Sequence, residues 1–176
     1  MADRNPGRAL NVVNRVDLLC DFIAHPAIRA AVQQAVPVTM PRAVGALGFE
    51  VPLWVGLGTV GLWAALDAFA DRAALPETKC ATCGGKRCIP QRFAGHTQGT
   101  EGQALAELED LRHLYAHNYA GDADAEYAQR RRHVLVRGTA TWLTVGARFD
   151  GQGIQLDLPQ LRAYAEVARA VLQRFQ

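Results

Sequence analysis

Residues 102–119 read GQALAELEDLRHLYAHNY, and apolar side chains recur in this stretch at intervals of three and four. That spacing predicts a helix with one side packed in a hydrophobic core. Gly121 follows the stretch and is placed to end the helix as a left-handed C-cap. The predicted core-facing residues are Ala104, Leu105, Ala106, Leu108 and Leu111.

The end of this helix carries an R-x4-H-x-Y pattern made by Arg112, His117 and Tyr119. At about 100° per residue, Arg112 and Tyr119 fall nearly in line, while His113 and His117 stack one turn apart. Arginine has a planar cationic fork that matches a phosphate, and histidine exchanges protons near neutral pH. The pattern therefore indicates phosphodiester chemistry; a solvated helix end is the alternative, and a zinc-binding His113–His117 pair lacks a third ligand nearby.

The segment from Gln103 to Asp122 resembles the signature of the HEPN superfamily, an R-x4-6-H motif with a polar residue directly after the arginine. His113 occupies that polar position here. The longer form of the motif resembles the HEPN toxins of MNT/HEPN toxin–antitoxin pairs, in which the tyrosine two residues beyond the histidine is adenylylated. Tyr119 occupies that position. The resemblance implies a helical bundle that forms a homodimer, with an antitoxin or nucleotidyltransferase as a partner.

The activity that the resemblance implies is metal-independent cleavage of RNA, in a toxin or defence effector. Attack by the ribose 2′-hydroxyl on the adjacent phosphorus would leave a 2′,3′-cyclic phosphate, and DNA would be spared because it lacks this hydroxyl. His117 would act as the general base or acid, and Arg112 would stabilise the phosphoryl oxygens. His113 would supply a second proton-handling group, and Asn118 would orient a ring or the substrate. No cofactor is expected for this reaction.

An alternative from another class is a noncatalytic module that binds a nucleotide or a protein through the same helix. In that case the cysteine-containing loop would be a zinc-stapled docking element. A solvent-filled cleft at Arg112 and RNA cleavage without metal would distinguish the two hypotheses.

Three cysteines form a C-x2-C-x4-C pattern in the connector over residues 76–100: Cys80, Cys83 and Cys88. They offer soft ligands at zinc-knuckle spacing, and Gly84 allows the tight turn of a tetrahedral site. His96, Cys20 or an exogenous group would complete a structural zinc site, although Cys20 falls on an apolar stripe that predicts a core position. A disulfide or redox pair and free thiols remain open alternatives.

The formal net charge of +2 gives no strong electrostatic argument for nucleic-acid binding. A local basic run follows the motif, and it indicates either a weak RNA contact or a solvated helix surface. The run contains Arg130, Arg131, Arg132, His133 and Arg137.

The length of 176 residues predicts a single domain over residues 1–176. Met1 to Arg8 is polar, with no apolar stretch behind it of the kind a signal peptide needs, so we expect a cytoplasmic protein. Val51 to Ala70 is the most hydrophobic stretch, but it is too short before Asp67 to span a bilayer and predicts a buried helix. Its glycines should permit close helix approach, with Leu62, Leu66 and Phe69 facing the core.

The remaining segments predict a mainly α fold, a HEPN-like helical bundle with a small β-hairpin near the C-terminal third. Leu10 to Val36 should form a helix broken near Pro26. Thr139 to Phe149 is rich in β-branched and aromatic residues, and a turn signal at Asp150-Gly151 leads towards Ile154. A final helix over Pro159 to Phe175 should be capped by Asp157.

Overall fold

The computed structural model describes residues 3–28, 30, 46–118, 133–136, 138–151, 153–154 and 156–176, without the side chains of 46–53 and 117–118. The protein is mainly helical, as predicted. The helices are α1 (Gly7–Ala24), α2 (Ala46–Arg72), α3 (Ile89–Arg92), α4 (Glu101–Asn118) and α5 (Leu158–Gln173), with a 3-10 turn at Ala94–His96. Two short strands, β1 (Thr141–Trp142) and β2 (Arg148–Phe149), form an antiparallel hairpin.

The long helix α2 is the centre of the bundle, because it packs against α1, α4 and α5. Its residues Leu62, Leu66 and Phe69 are fully buried, as the apolar spacing predicted. Within the described residues, no helix combines the length and hydrophobicity that a membrane crossing needs. The burial of Leu62, Leu66 and Phe69 confirms that this part of the hydrophobic stretch is a core helix.

Two glycines of α2 allow the neighbouring helices to come close. A Cβ atom at Gly56 would lie 2.7 Å from Cδ1 of Tyr115 on α4, and one at Gly58 would lie 2.6 Å from Cδ2 of Leu161 on α5. Real Cβ atoms do not approach other atoms so closely, so both contacts depend on the missing methyl group. The predicted role of small residues in close helix approach is confirmed. The contact at Gly56 brings α2 close to the motif helix α4.

Helix α1 ends at Ala24, and His25 adopts an extended conformation before residues 26–28 become helical again. The predicted break near Pro26 is therefore confirmed. The part of that prediction that covers residues 31–36 lies outside the described residues, as does the predicted C-cap at Gly121.

The β-hairpin is present, but its turn lies earlier than the sequence signal indicated. Thr141 pairs with Phe149, and the chain reverses between them through Gly146, which has a φ of 77°. Asp150-Gly151 forms the next reversal, after which Phe149 makes a single antiparallel bridge with Ile154. Each reversal contains a glycine with positive φ. The sequence therefore held two candidate turns close together, and the prediction chose the second one.

Helix α5 begins as predicted at a capping box. The Asp157 side chain accepts a hydrogen bond from the Leu158 N–H, and the Gln160 side chain accepts one from the Asp157 N–H at 3.0 Å. The apolar side of the helix is buried against the bundle through Leu161, Tyr164, Ala165, Ala168, Val171 and Leu172.

The glycine contact between α2 and α4 can be tested with a matched pair of variants. Gly56→Ala should destabilise the protein by about 1–3 kcal/mol, because the added methyl group meets the buried ring of Tyr115. Gly61→Ala should stabilise it by roughly 0.5–1 kcal/mol, since nothing lies within 4 Å of its Cβ position and alanine favours helix. Urea unfolding gives both values, and equal stability of the two variants would contradict the proposed contact.

Candidate metal centre and adjoining pocket

The cysteine-containing loop is a tight turn closed by its own backbone. The Cys80 N–H donates to the Gly85 carbonyl at 2.9 Å, and the Gly84 N–H donates to the Cys80 carbonyl at 2.9 Å. Gly84 has a φ of 70°, which a residue with a side chain rarely adopts. The Gly85 N–H also lies 3.4 Å from Sγ of Cys83. The hydrogen bonds of the turn therefore bring Cys80 and Cys83 together without a metal ion.

Four soft and nitrogen donors meet at this loop: the thiols of Cys80, Cys83 and Cys88 and the ring of His133. One donor atom from each residue lies within 4.8 Å of all the others. The Sγ of Cys88 is 3.4 Å from Nε2 of His133. All four cysteines of the chain are free thiols. This arrangement can hold a metal ion.

The fourth donor differs from those that the sequence suggested. Cys20 is fully buried in the hydrophobic core of α1, where its apolar stripe predicted it. His96 packs its ring against Phe175, with centroids 4.3 Å apart. His133 follows Cys88 by 45 residues, and a spacing motif carries no information about a ligand so far along the chain. In the sequence, His133 stood out only as a member of the basic run.

A carboxylate on the motif helix holds the backbone around His133. Asp110 is fully buried, and its oxygens accept hydrogen bonds from the N–H groups of His133 at 2.9 Å, Val134 at 2.7 Å and Leu135 at 2.9 Å. A buried carboxylate needs such donors to offset its lost hydration. Helix α4 therefore fixes the segment that delivers the fourth donor.

The neighbouring Glu109 connects three helices. Its Oε2 accepts hydrogen bonds from Nε1 of Trp63 on α2 at 2.8 Å and from the N–H of Ile89 on α3 at 3.1 Å. Its Oε1 lies 3.4 Å from Nε2 of His113. Burial raises the pKa of Glu109, but the bonds from His113, Trp63 and Ile89 outweigh burial, and the pKa lies below its usual value. The carboxylate is therefore ionised at neutral pH.

Arg112 lies between an aromatic face and a histidine. Its guanidinium carbon is 4.1 Å from the centroid of the Trp63 ring, a cation–π contact, and its Nη1 is 2.9 Å from Nδ1 of His113. Glu109 and Asp110, the acidic residues closest to it on α4, are engaged elsewhere. In the described part of the chain, no carboxylate lies within 4.0 Å of this guanidinium. Arg112 can therefore still bind an anion.

A pocket of about 400 Å³ opens between the cysteine-containing loop and helix α4. Its lining includes residues of the motif helix and of the cysteine-containing loop, which the sequence analysis treated as separate features. The structure therefore places Arg112 in one pocket with members of the cluster that can hold a metal. The lining residues are Trp63, Cys83, Gly85, Lys86, Arg87, Cys88, Glu109, Arg112, His113 and His133.

Most of the other predicted site residues lie partly or wholly outside the described part of the structure. The backbone of His117 and Asn118 lies in the last turn of α4, but their side chains are outside the described part of the structure. Tyr119 and the basic residues Arg130, Arg131 and Arg132 also lie outside the described residues. His113 is buried beside Glu109 and Arg112.

No family model, curated protein or solved structure matches the chain.

The role of Asp110 predicts a large effect of substitution. Asp110→Ala should destabilise the protein by roughly 3 kcal/mol or more, because three backbone N–H groups lose their acceptor in a buried place. Asp157→Ala, which removes an exposed helix cap, should cost only about 1 kcal/mol. Urea unfolding measures both, and a cost at Asp110 no larger than that at Asp157 would refute the anchoring role.

Proposed function

We propose that Cys80, Cys83, Cys88 and His133 bind one structural zinc ion. Three thiolates and one imidazole are a donor set that zinc prefers, and the mutual distances within 4.8 Å suit a tetrahedral site. Four protein ligands leave no coordination position for a substrate, so the ion would act on folding. It would join the cysteine-containing loop to the segment that Asp110 holds.

The zinc proposal makes a prediction about composition. Protein prepared with zinc present should contain one zinc per chain, and His133→Ala or Cys83→Ser should lower zinc affinity at least tenfold, because a ligand is lost. His96→Ala and Cys20→Ala are matched controls, since neither residue lies in the cluster. Elemental analysis and competition with a chromogenic chelator give the values. Zinc loss in the His96 variant but not in the His133 variant would refute the assignment.

The affinity for zinc should also fall as the pH is lowered. Burial raises the pKa values of the Cys83 and Cys88 thiols above their ordinary value, whereas hydrogen bonds outweigh burial at Cys80 and lower the pKa of that thiol. Zinc must therefore displace protons from the Cys83 and Cys88 thiols, and more protons compete at lower pH. Chelator competition across the pH range measures this, and an affinity independent of pH would contradict it.

We further propose that the protein is a metal-independent endoribonuclease with a HEPN-like R-x4-H site. The observation that carries this proposal is the Arg112 guanidinium, which lines the pocket without a carboxylate partner among the described residues. An arginine stacked on Trp63 and held beside His113 has a fixed fork ready for a phosphate. The biological setting, a toxin or defence effector with an antitoxin or nucleotidyltransferase that modifies Tyr119, rests on the resemblance of the motif.

The chemistry follows from the residue types. A base removes the proton of the ribose 2′-hydroxyl, and the 2′-oxygen forms a bond to phosphorus. The bond from phosphorus to the 5′-oxygen of the next nucleotide breaks, and that oxygen takes up a proton. Arg112 would stabilise the charge on the phosphoryl oxygens, and His117 would exchange the protons. A homodimer would supply a second His117, so that one ring is the base and the other the acid. His113, which contacts both Glu109 and Arg112, would mainly orient Arg112.

A second candidate function is a noncatalytic module that binds a nucleotide in the same pocket. The observation that favours it is the pocket itself, which combines an aromatic wall at Trp63 with cations and adjoins the metal cluster. Stacking and charge are sufficient for binding a nucleotide without any reaction.

The two candidates are separated by cleavage of total RNA and a matched DNA. In buffer without magnesium and with brief exposure to EDTA, the wild type should cut RNA alone and leave 2′,3′-cyclic phosphate ends. Arg112→Ala and His117→Ala should reduce cutting at least a hundredfold, because charge stabilisation and proton transfer each contribute on the order of 100-fold. Arg148→Ala and His25→Ala are exposed controls that should retain activity.

Zinc content is measured on the same samples, so that metal loss is not mistaken for loss of a catalytic group. Equal cutting by the wild type and the Arg112 and His117 variants would refute the assigned site. A wild type that binds RNA without cutting it would support the noncatalytic module.

A further inference from the structure

The cysteine-containing loop also supplies cations to the pocket. Lys86 and Arg87 lie between Cys83 and Cys88, and both line the same pocket as Arg112. The chain has only two lysines, Lys79 and Lys86. Lys79 is exposed just before Cys80 and does not line the pocket, so the two lysines flank the same turn in different surroundings.

The two cations of the loop, Lys86 and Arg87, differ in whether a carboxylate is paired with them. The Nη2 of Arg87 donates to Asp67 at 2.9 Å and to Asp71, and these two carboxylates also pair with the buried Arg92. Arg87 is therefore neutralised by α2. Within the described residues, no carboxylate lies within 4.0 Å of the Lys86 ammonium. Lys86 is thus a second pocket cation, beside Arg112, that remains available to an anion.

Among the described lining residues, the carboxylate does not compete for these cations, and the thiolates of the proposed zinc site are the other negative charges. Glu109 is the carboxylate among the lining residues, and it is already engaged with Trp63, Ile89 and His113. The proposed zinc site would hold the loop at Cys83 and Cys88, on both sides of Lys86. It would thereby fix the backbone that carries Lys86 relative to helix α4 and Arg112.

We infer that Lys86 is a substrate-binding residue, which binds a phosphate of the RNA strand in the pocket that Arg112 also lines. This inference rests on the proposed action on RNA. A pocket of about 400 Å³ accommodates a nucleotide-sized group, and two uncommitted cations in its lining suit the anionic phosphate groups of an RNA strand. The cysteine-containing loop is then part of the RNA site as well as a metal-binding element.

The first test is lysine footprinting on the wild-type, zinc-loaded protein. The probe is a ten-nucleotide 2′-O-methyl RNA, which cannot be cleaved through its 2′-oxygen. Acetylation measured by mass spectrometry should slow at Lys86 at least fivefold when the probe is bound, while Lys79 should stay within twofold. Equal protection of both lysines, or none at Lys86, would overturn the inference.

The second test compares Lys86→Gln with the charge-matched control Lys79→Gln. Lys86→Gln should weaken binding of the same probe by roughly threefold to tenfold and reduce the slope of log affinity against log salt by about 0.7, because one phosphate contact is lost. Lys79→Gln should change neither. If Lys86 only balances the charge of the thiolates, Lys86→Gln will lower zinc affinity and leave RNA affinity and the salt slope unchanged, which would overturn the inference.

These measurements do not depend on cleavage. If the wild type fails to cut natural RNA but Lys86 is protected and its variant binds weakly, the endoribonuclease proposal fails and the binding role of Lys86 stands. If natural RNA is cut and Lys86 is neither protected nor required for binding, the binding role fails and the endoribonuclease proposal stands.

Discussion

The candidate metal centre and its pocket depend on the hydrogen bonds that the Asp110 carboxylate accepts. This carboxylate is buried on helix α4 and accepts hydrogen bonds from three consecutive backbone N–H groups, from His133 to Leu135. Charge-assisted bonds of this kind offset part of the cost of burying the carboxylate, although burial still leaves the pKa of Asp110 above its usual value. The same contact determines where the imidazole of His133 meets the three thiols. The helix that bears the motif therefore also organises the metal cluster.

Helix α4 is unusual because its buried side carries several ionisable residues besides its apolar ones. Glu107 accepts hydrogen bonds from the Thr144 N–H at 2.9 Å and from the Tyr164 hydroxyl at 2.8 Å, which ties the hairpin and α5 to the helix. Glu109 ties α2 and α3 to it. Each buried carboxylate thus holds a different segment of the chain. Removal of a partner would leave a buried charge uncompensated, so the network favours one arrangement of the bundle.

The sequence predicted those features whose causes are local. Apolar spacing located the helices, Asp157 located the start of α5, and glycines in α2 indicated close packing. It did not predict the buried acids of α4, because a periodicity argument assigns charged residues to solvent unless their partners are known. It also did not find His133, whose role arises from contacts far along the chain. For the site, the sequence identified Arg112 and the three cysteines but gave no sign that they share one pocket.

The union of these two features suggests how the proposed zinc ion would matter to the proposed reaction without taking part in it. A thiolate and imidazole cluster with four protein ligands has no position for a substrate, so its influence must be exerted through geometry. That geometry would fix the loop part of the pocket lining, while Trp63 and His113 position Arg112. A phosphate group bound by both parts of the lining would be sensitive to displacements on the order of 1 Å. Loss of the proposed zinc ion would therefore act on the proposed site by moving the loop, with the charge of Arg112 and its contact with Trp63 left in place.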